Sequence, residues 1–422
     1  MHRNPVHQDC HHPRYRRKSP SLHAMISTSA PSPQPPTPAS DAELENAWHP
    51  PQRGRTAVLL SGGVDSSVAL HLLAAEHRER LTAFYLKIWL EDEVAFLGDC
   101  PWEDDLAFAR QVCADAGVPL EVIPLQREYR QRIVAYSLDE LRAGRTPSSD
   151  VLCNQQIKFG AFLDAVGPEV SAVASGHYAR RIVTGEQEDR ALLARSPDPV
   201  KDQTYFLARL SREQVQHCRF PIGHLYKYQV RRLAEDLALP NRHRPDSQGI
   251  CFLGKIPFRE FIRHHLGERP GEIRHAETGE RLGEHRGHWF HTLGQRKGLG
   301  LSGGPWYVVG KNSEENLLLV SHRERLQQWA PESFEVEALH WLGEPLPLPA
   351  GSLDESSALR VRLRHGGALL PFRLETSEPN RARVFLGQGD PGIAPGQFAV
   401  FYEENICIGC GIISNTQSTD SP

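Results

Sequence analysis

The chain contains the stretch Thr56-Ala57-Val58-Leu59-Leu60-Ser61-Gly62-Gly63-Val64-Asp65-Ser66-Ser67, in which a short apolar run ends in a serine and two glycines. An apolar run of this length, bounded by turn residues, is typical of a buried strand. The glycines permit a tight turn and bring backbone N–H groups close to an anion, and the serines add hydroxyl donors. A helix that starts at Val64 would direct its positive end at the same anion. The stretch therefore predicts a phosphate-binding loop, in which Asp65 is suited to a magnesium ion or to helix capping.

Strand and helix patterns alternate after this loop, which implies βαβ units and a parallel sheet with ligands beyond the carboxyl ends of its strands. Gly117 is suited to end the second helix. The patterns predict helices over 64–76 and 104–116 and strands over 56–60, 81–88, 119–124 and 170–175.

The character of the sequence changes after about residue 255. Residues 256–330 are rich in Gly, His and Arg, with strand-like segments at 306–309 and 317–320. Segments of alternating polarity then recur at short spacing, which is typical of a small antiparallel barrel. These segments lie at 333–338, 359–363, 382–386, 397–402 and 407–413.

The composition limits the class of protein. A length of 422 residues predicts two or three domains, and no apolar run approaches the roughly 18–20 residues of a membrane span. The eight cysteines are sparse, which favours a reducing compartment over a disulfide scaffold. A net charge of −4 gives no overall nucleic-acid signature, although a basic groove can lie on a neutral protein.

Residues 1–51 are expected to form a disordered or targeting extension, because a Ser/Pro-rich segment cannot bury enough apolar surface to fold. The basic, acid-poor start is suited to an organelle transit peptide, and a translation start at Met25 is the alternative explanation. We expect a cytoplasmic protein, or an organellar one if the extension is a transit peptide.

Three further patterns predict no metal centre and no second phosphate loop. Cys407 and Cys410 form a lone CxxC motif, which favours strand packing over zinc binding. His285, His288 and His291 have no Cys or carboxylate partner at ligand spacing, so solvated or phosphate-facing side chains are expected. The string over 249–256 resembles a Walker loop but ends in Ile256 where Ser or Thr would bind magnesium, so it is rejected.

Two cysteines lie in polar, turn-forming surroundings. Cys153 precedes an amphipathic stretch, where a helix start would favour its thiolate, and Cys251 follows Gly249. Thiolates act as nucleophiles or carry sulfur, and Asp150 could move a proton to or from an activated base. For either cysteine alone, a buried structural thiol is the alternative.

The loop resembles that of the N-type ATP pyrophosphatases, which cleave ATP between the α- and β-phosphates and place AMP on a carbonyl oxygen. Lysidine, GMP and argininosuccinate synthetases share this loop with thiouridine-forming enzymes, so the loop alone does not choose among them.

Further strings, ordered between residues 59 and 413, resemble the tRNA-specific 2-thiouridylases (the MnmA family). They are Leu152-Cys153-Asn154, Ile157-Lys158-Phe159, Ser175-Gly176-His177-Tyr178-Ala179-Arg180, Lys201-Asp202-Gln203-Thr204-Tyr205-Phe206-Leu207, Asp246-Ser247-Gln248-Gly249-Ile250-Cys251-Phe252, Thr292-Leu293-Gly294-Gln295-Arg296-Lys297-Gly298-Leu299-Gly300 and Ala394-Pro395-Gly396-Gln397.

The resemblance implies an α/β fold: a parallel-sheet ATP pyrophosphatase domain over 52–254, a small central domain over 255–331, a C-terminal antiparallel β-barrel over 332–413 and a tail over 414–422. It implies a tRNA-uridine 2-sulfurtransferase that uses ATP, with Mg²⁺, to adenylate the C2 oxygen of the wobble uridine and replace it with sulfur. The products would be 2-thiouridine, AMP and pyrophosphate. The implied partners are tRNAs of the Lys, Glu and Gln type and a sulfur-donor protein, either a relay protein or a cysteine desulfurase, with no membrane.

The resemblance also assigns roles to residues. Cys153 would be the nucleophile and Cys251 the persulfide carrier, which forms an alternate disulfide with Cys153, and Asp150 a possible acid or base. ATP would contact Leu59, Leu60, Ser61, Gly62, Gly63, Val64, Asp65, Ser66, Leu86 and Gly176. The target base would contact Ser148, Ser149 and Asp150. Transfer RNA would contact His177, Lys201, Asp202, Gln203, Arg362, Leu363 and Gln397.

The chain departs from the family at two of these places. Ser148-Ser149 stands where the family usually has Asn-Pro, and the missing proline loosens the turn. Leu363 stands between two arginines where the family often has an aromatic residue, which weakens the expectation of base stacking there.

Two other functions remain open from the sequence. An amide-forming adenylating ligase would need no persulfide, so Cys251→Ser would leave its activity intact. An RNA-binding barrel protein with a decayed ATP fold would form no AMP from ATP and tRNA.

Overall fold

The computed structural model describes residues 54–88, 102–184, 190–246, 257–347, 349–378 and 380–417. The N-terminal extension, the predicted persulfide carrier Cys251 and the rejected Walker-like string lie outside the described residues. In the described part of the chain, none of the helices combines the length and apolar character needed to cross a membrane.

The predicted α/β alternation is confirmed. Five parallel strands form one sheet in the order β3-β2-β1-β4-β7. The strands are β1 (Arg55–Leu59), β2 (Leu81–Lys87), β3 (Leu120–Pro124), β4 (Val170–Ala174) and β7 (Cys218–Arg219). The helices of this part are α1 (Val64–His77), α2 (Trp102–Ala116), α3 (126–142), α4 (149–166), α5 (Thr204–Leu207), α6 (Arg212–His217) and α7 (Lys227–Asp236), where α3 and α4 each contain a wider π-type turn.

Helices cover both faces of this sheet. Val58 of β1 and Leu60, the residue after it ends, pack with α1 and α2, whereas Ala57 and Leu59 pack with α3 and α4. Because successive side chains of a strand point to opposite faces, a strand covered on both faces has consecutive apolar residues, as Ala57-Val58-Leu59 of β1 are. Gly117 has a φ of +66° just after α2, as expected for a helix end.

A hairpin extends from the parallel sheet into the C-terminal barrel. Its strands are β5 (Ala179–Thr184) and β6 (Arg190–Arg195), and β6 pairs with β18, where Ala194 lies opposite Ile406. The sequence analysis did not predict this hairpin. It joins the parallel-sheet part of the chain to the barrel by backbone hydrogen bonds.

The central part contains α8 (Phe258–Leu266) and a four-stranded sheet of order β10-β11-β8-β9. Its core includes Ile273, Trp306 and Leu318. The strands are β8 (Gly271–His275), β9 (Arg281–His285), β10 (Trp306–Asn312) and β11 (Leu317–His322).

The predicted antiparallel barrel is confirmed. It closes through the pairing of β12 with β18, and Phe334, Phe372 and Phe401 lie in its core. Two of its strands, β13 and β15, were not predicted; β13 has only three residues, and Pro371 interrupts the strand pattern of β15. The strands are β12 (Ser333–Trp341), β13 (Ala350–Ser352), β14 (Leu359–Arg362), β15 (Leu370–Glu378), β16 (Arg381–Leu386), β17 (Phe398–Glu403) and β18 (Ile406–Gln417).

Candidate active site

The predicted phosphate loop connects β1 to the start of α1 at the carboxyl edge of the parallel sheet. Gly62 has a φ of +75°, and a Cβ there would overlap the backbone of Asp105, so the turn requires glycine. Gly63 is the N-cap of α1, and among the described residues no side chain caps this end. The first amide groups of a helix have no partner within the helix, so they are available to an anion.

The loop serines differ in what they contact. Ser66 Oγ donates to the carbonyl oxygen of Gly63 at 3.1 Å and accepts from the amide of Ser61 at 3.2 Å. Ser67 Oγ donates to the same carbonyl oxygen at 2.9 Å. These two hydroxyls shape the loop, whereas the side chain of Ser61 is exposed at its tip.

Two residues that follow α7 in the chain donate hydrogen bonds to the phosphate loop, and the sequence analysis did not identify them. Asn241 Nδ2 donates to the carbonyl oxygen of Gly62 and to Ser67 Oγ, both at 2.8 Å. The Arg244 guanidinium donates to the same carbonyl at 3.1 Å and to Asp105 Oδ1 at 2.6 Å. They contact the loop from about 180 positions further along the chain, a separation that no local motif reports.

Asp65 is part of an ion-pair network. Its carboxylate accepts hydrogen bonds from Lys227 Nζ at 2.8 and 2.9 Å and from the Tyr178 hydroxyl at 2.9 Å, so the predicted capping role is wrong. Lys227 Nζ also pairs with the carboxylate of Asp246 at 2.8 Å, and Lys201 Nζ pairs with the same carboxylate at 2.6 Å. Burial raises the pKa of Asp246, but hydrogen bonds from Lys201 and Lys227 outweigh burial and hold that pKa well below its usual range.

The remaining residues predicted to contact ATP surround the loop in different ways. A Cβ on Gly176 would lie 2.7 Å from the amide nitrogen of Ser66, so only glycine lets this segment approach the loop. Leu59 and Leu60 are buried in the core, so only their backbone atoms can contact a nucleotide. Leu86 is half-buried in β2, whose carboxyl end lies at the same edge of the sheet.

The predicted nucleophile lies in the first turns of α4. Cys153 is 4% exposed and lies three residues after Asp150, so the two share one face of the helix. Burial raises the pKa of Asp150, and the nearby positive charge of Lys158 only partly opposes this effect. A carboxyl group with a raised pKa can hold or release a proton closer to neutral pH.

The start of α4 is positioned by hydrogen bonds in place of the Asn-Pro pair. Ser149 is the first residue of the helix, and its hydroxyl lies 2.7 Å from that of Ser137. Ser148 Oγ donates to the carbonyl oxygen of Gly396 in the barrel at 3.3 Å. The turn is therefore held by contacts to α3 and to the barrel.

A cavity of about 320 Å³ opens where the parallel-sheet part, the central part and the barrel meet. This volume is at the lower end of the range for small-molecule sites, roughly 300–1,000 Å³. The three residues predicted to contact the target base line it together with one residue predicted to contact tRNA. They are Ser148, Ser149, Asp150 and Gln397. The sequence analysis did not identify the other side chains of its wall, among them Phe206, Phe258, Trp289 and His365.

Several side chains predicted to contact tRNA lie in the interior. His177 is buried and contacts Ser175 Oγ through Nδ1 at 2.8 Å, and burial together with Lys158 lowers its pKa well below the usual value. Asp202 and Arg362 are buried and form an ion pair at 2.7 Å, and Leu363 lies in the barrel core. In this structure these side chains position the surrounding segments and present little surface to RNA.

The other predicted tRNA contacts are partly exposed. Lys201 pairs with Asp246, the Gln203 side-chain oxygen accepts from the Tyr178 amide at 2.9 Å, and Gln397 faces the cavity. These three contacts to tRNA remain predictions.

The histidine and CxxC patterns are structural. His285 and His288 are buried and hydrogen-bonded to Asn316, and His291 is buried as well, so the expectation of solvated or phosphate-facing histidines is wrong. Cys407 and Cys410 are buried in β18, as strand packing requires. Within the described residues, no group of three or more His, Cys, Asp or Glu side chains could hold a metal ion.

Comparison with known families covers most of the chain. Three family models match in succession: "tRNA methyl transferase HUP domain" over residues 54–255, "tRNA methyl transferase PRC-barrel domain" over 259–322 and "Aminomethyltransferase beta-barrel domain" over 332–413.

The chain is also similar to curated relatives over nearly their whole length. It is 44% identical to the tRNA-specific 2-thiouridylase MnmA 1 of Bacteroides thetaiotaomicron over 85% of this chain and 99% of that protein. It is 42% identical to the tRNA-specific 2-thiouridylase MnmA 2 of Bacteroides fragilis over 85% of this chain and 99% of that protein. The corresponding protein of Porphyromonas gingivalis is 41% identical over 85% of this chain and 98% of its own length.

Proposed function

The chain belongs to the tRNA-specific 2-thiouridylase family, and on that premise we propose that it replaces the C2 oxygen of a wobble uridine in tRNA with sulfur at the cavity beside Asp150 and Cys153. The observation that carries this assignment is a cavity large enough for one base, lined by Ser148, Ser149 and Asp150 at the start of the helix that contains Cys153.

The nucleotide site is suited to the first half of the reaction. The uncapped start of α1 and the glycine turn offer backbone amides to the phosphates of ATP. We assign Leu59 to Ser66, Leu86 and Gly176 to this site and expect Mg²⁺ to accompany the nucleotide. Attack of the uridine C2 oxygen on the α-phosphate releases pyrophosphate and makes AMP the leaving group.

The second half requires two cysteines. The terminal sulfur of a Cys251 persulfide attacks C2, and the C2 oxygen leaves with AMP. The Cys153 thiolate then attacks Cys251 Sγ, which breaks the sulfur–sulfur bond to the base and leaves sulfur on C2. The product is 2-thiouridine, and the Cys153–Cys251 disulfide is opened by an external thiol reductant before the next cycle.

Asp150 is assigned the proton transfer at the base. Its carboxyl group faces the cavity, and its pKa is raised by burial, so it can exchange a proton with the uridine ring. Ser148 and Ser149 line the same wall and contact the base.

The sulfur donor is proposed to be a protein, either a relay protein or a cysteine desulfurase that loads Cys251. The RNA substrates are proposed to be tRNAs of the Lys, Glu and Gln type. A cytoplasmic location is proposed on the same basis, with an organelle as the alternative.

Mass spectrometry of tRNA nucleosides tests the proposal after incubation with ATP, tRNA and a loaded sulfur donor. We expect 2-thiouridine with the wild-type protein and none with Cys153→Ala or Cys251→Ala, while both variants still release pyrophosphate in the presence of tRNA. Cys113→Ala is the matched control, because burial raises the pKa of this α2 thiol to about 12 and leaves it unreactive.

Unmodified or methylated uridine from the wild-type protein with an active donor would overturn the proposal. Thiolation by Cys251→Ala would favour a mechanism without a persulfide on this residue.

A further inference from the structure

The cavity next to Asp150 contains a pair of stacked rings that the sequence analysis did not assign. Phe206 of α5 and His365 of the barrel both line the cavity wall. Their ring centroids are 4.3 Å apart and their planes are inclined by 30°. The two rings, contributed by two parts of the chain, cover each other's inner faces, so the outer face of the pair is the flat surface beside the site of the predicted chemistry.

Phe206 is fixed close to the nucleophile. Asn154 is the residue after Cys153, and its side-chain amide donates to the carbonyl oxygen of Phe206 at 3.0 Å. The neighbouring Tyr205 donates its hydroxyl to the carbonyl oxygen of Phe398 at 3.1 Å. Anchored on both sides, the Phe206 ring has little freedom to move away from α4.

His365 is held in a tight turn at the cavity edge. The amide of Gly367 donates to the carbonyl oxygen of Arg364 at 3.0 Å, which closes the turn. Arg364 is anchored to Asp390 by contacts of 2.8 and 2.9 Å. His365 is an exposed residue, so the ring pair can be reached from solvent.

Leu363, which stands where the family often has an aromatic residue, cannot stack on a base. Its side chain is 2% exposed and packs in the barrel core. His365 lies two residues further along, where the turn projects a ring into the cavity wall. The flat aromatic surface is therefore present in this chain, but it comes from His365 and Phe206.

We propose that Phe206 and His365 form a stacking platform that holds the extruded wobble base against Asp150, one helical turn before Cys153. The inference rests on the proposed function for the identity of the base. Extrusion removes a base from its neighbours in the anticodon loop, and aromatic side chains replace that lost stacking in single-stranded RNA recognition. The platform fixes the plane of the ring and thereby presents C2 to the attacking sulfur.

Steady-state thiolation of full-length tRNA tests the platform in Phe206→Leu and His365→Leu, which remove a ring but keep an apolar side chain. Each change is expected to lower kcat/KM for tRNA by about 5- to 100-fold, the range for loss of one base-stacking contact. The KM for ATP should be unchanged. His365→Phe, which keeps a ring at this position, should retain most of the wild-type kcat/KM for tRNA. The matched control is Phe385→Leu, which removes a barrel phenylalanine that lies over Arg373.

Photocrosslinking supplies a readout that needs no turnover. An anticodon stem-loop with 4-thiouridine at the wobble position should crosslink to Phe206 or His365 of the wild-type protein, and the yield should fall in both leucine variants. An unchanged kcat/KM for tRNA in both variants, or crosslinks at other residues alone, would overturn the platform. Crosslinks at these rings in a wild-type protein that forms no 2-thiouridine would support the platform and overturn the proposed function. His365→Leu keeps the test decisive if Phe206→Leu fails to fold, because His365 is exposed.

Discussion

At the scale of single residues, Asp150 combines a position on the cavity wall with a carboxyl pKa that burial raises. Asp150→Asn should lower the rate of thiolation at saturating tRNA and ATP by about 10²- to 10⁴-fold, the usual contribution of a general acid or base. The same change should leave tRNA binding within a few-fold, which filter binding can measure.

The raised pKa also fixes the sign of the effect on stability. A carboxyl group whose pKa is higher in the folded state than in the unfolded state destabilises the fold once the pH exceeds both values. Asp150→Asn should therefore raise the free energy of unfolding at pH 7–8, and the advantage should vanish as the pH falls below the unfolded carboxyl pKa of about 3.9. Urea unfolding of the wild-type protein and the variant at pH 7–8 and again below that carboxyl pKa measures the difference in the free energy of unfolding. A variant less stable than the wild-type protein at pH 7 would contradict the prediction.

Ser149 provides a second prediction, at the position where relatives usually have proline. It is the first residue of α4, where proline is favoured because that amide has no partner within the helix. Ser149→Pro should change the free energy of unfolding by no more than about 1 kcal/mol, since the gain in chain stiffness offsets the lost Ser137 contact. Ser149→Gly, which lacks both the contact and the stiffness, is the matched control and should be the less stable variant in thermal unfolding.

The phosphate loop could be predicted residue by residue, because its glycines and serines are consecutive in the chain. Lys227, Asn241 and Arg244 could not, although they hold Asp65 and the loop in place. Single Lys, Asn and Arg residues occur throughout any soluble sequence, and only the folded chain brings these three to the loop.

At the scale of elements, Asp202 and Arg362 connect the segment before α5 to β14 through a buried ion pair. Asp202 also accepts from Arg195 at 3.1 Å and from Thr204 Oγ1 at 2.9 Å. Removing one partner of a buried pair leaves an uncompensated charge, at a cost of about 3–5 kcal/mol. Because Arg195 still pairs with Asp202, Arg362→Met should lower the free energy of unfolding by less than that, about 1.5–3 kcal/mol for one lost hydrogen bond to a charged group, measured by denaturant unfolding.

The control for this pair is a surface pair of the barrel. Arg381 lies 3.4 Å from Glu337, and both side chains are at least 40% exposed, so Arg381→Met should cost less than about 1 kcal/mol. Equal losses in the two variants, or a loss of tRNA affinity in Arg362→Met without a loss of stability, would favour the direct tRNA contact that the family resemblance implied.

Most elements of the sheet and barrel could be predicted, because strand and helix periodicities are local. The pairing of β6 with β18 could not be, because the two strands lie more than 200 residues apart. Pairing over such a distance depends on how the barrel closes, which no local pattern reports.

At the scale of the whole molecule, the cavity exists only where three parts of the chain meet. Ser148 to Asp150 could be assigned to it from the family resemblance, whereas Phe206, although inside a family string, was given no role, and Phe258, Trp289 and His365 lie in separate segments outside those strings. An aromatic residue in a sequence is more often part of a core than of a binding site, so its role becomes visible only in the folded chain.

The net charge of −4 repels RNA at long range, so binding of tRNA requires local cations. Arg296 and Lys297 are exposed in the loop that also places Gln295 on the cavity wall. Their side chains are free to contact the phosphates of the anticodon loop, a sequence-independent contact that releases counterions. Each such contact contributes about 1 to the slope of log affinity against log salt concentration.

The double change Arg296→Gln and Lys297→Gln should therefore weaken tRNA binding and reduce the magnitude of that slope by about 2. Fluorescence anisotropy with labelled tRNA at several salt concentrations measures both quantities. Arg232→Gln removes an exposed charge from α7, which packs against α1, and should leave the slope unchanged. If the double variant and Arg232→Gln shift the slope equally, the loss reflects total charge and the cavity rim is not where the anticodon loop binds. If only the double variant lowers the slope while kcat at saturating tRNA is retained, these two cations bind the RNA backbone and take no part in the chemical step.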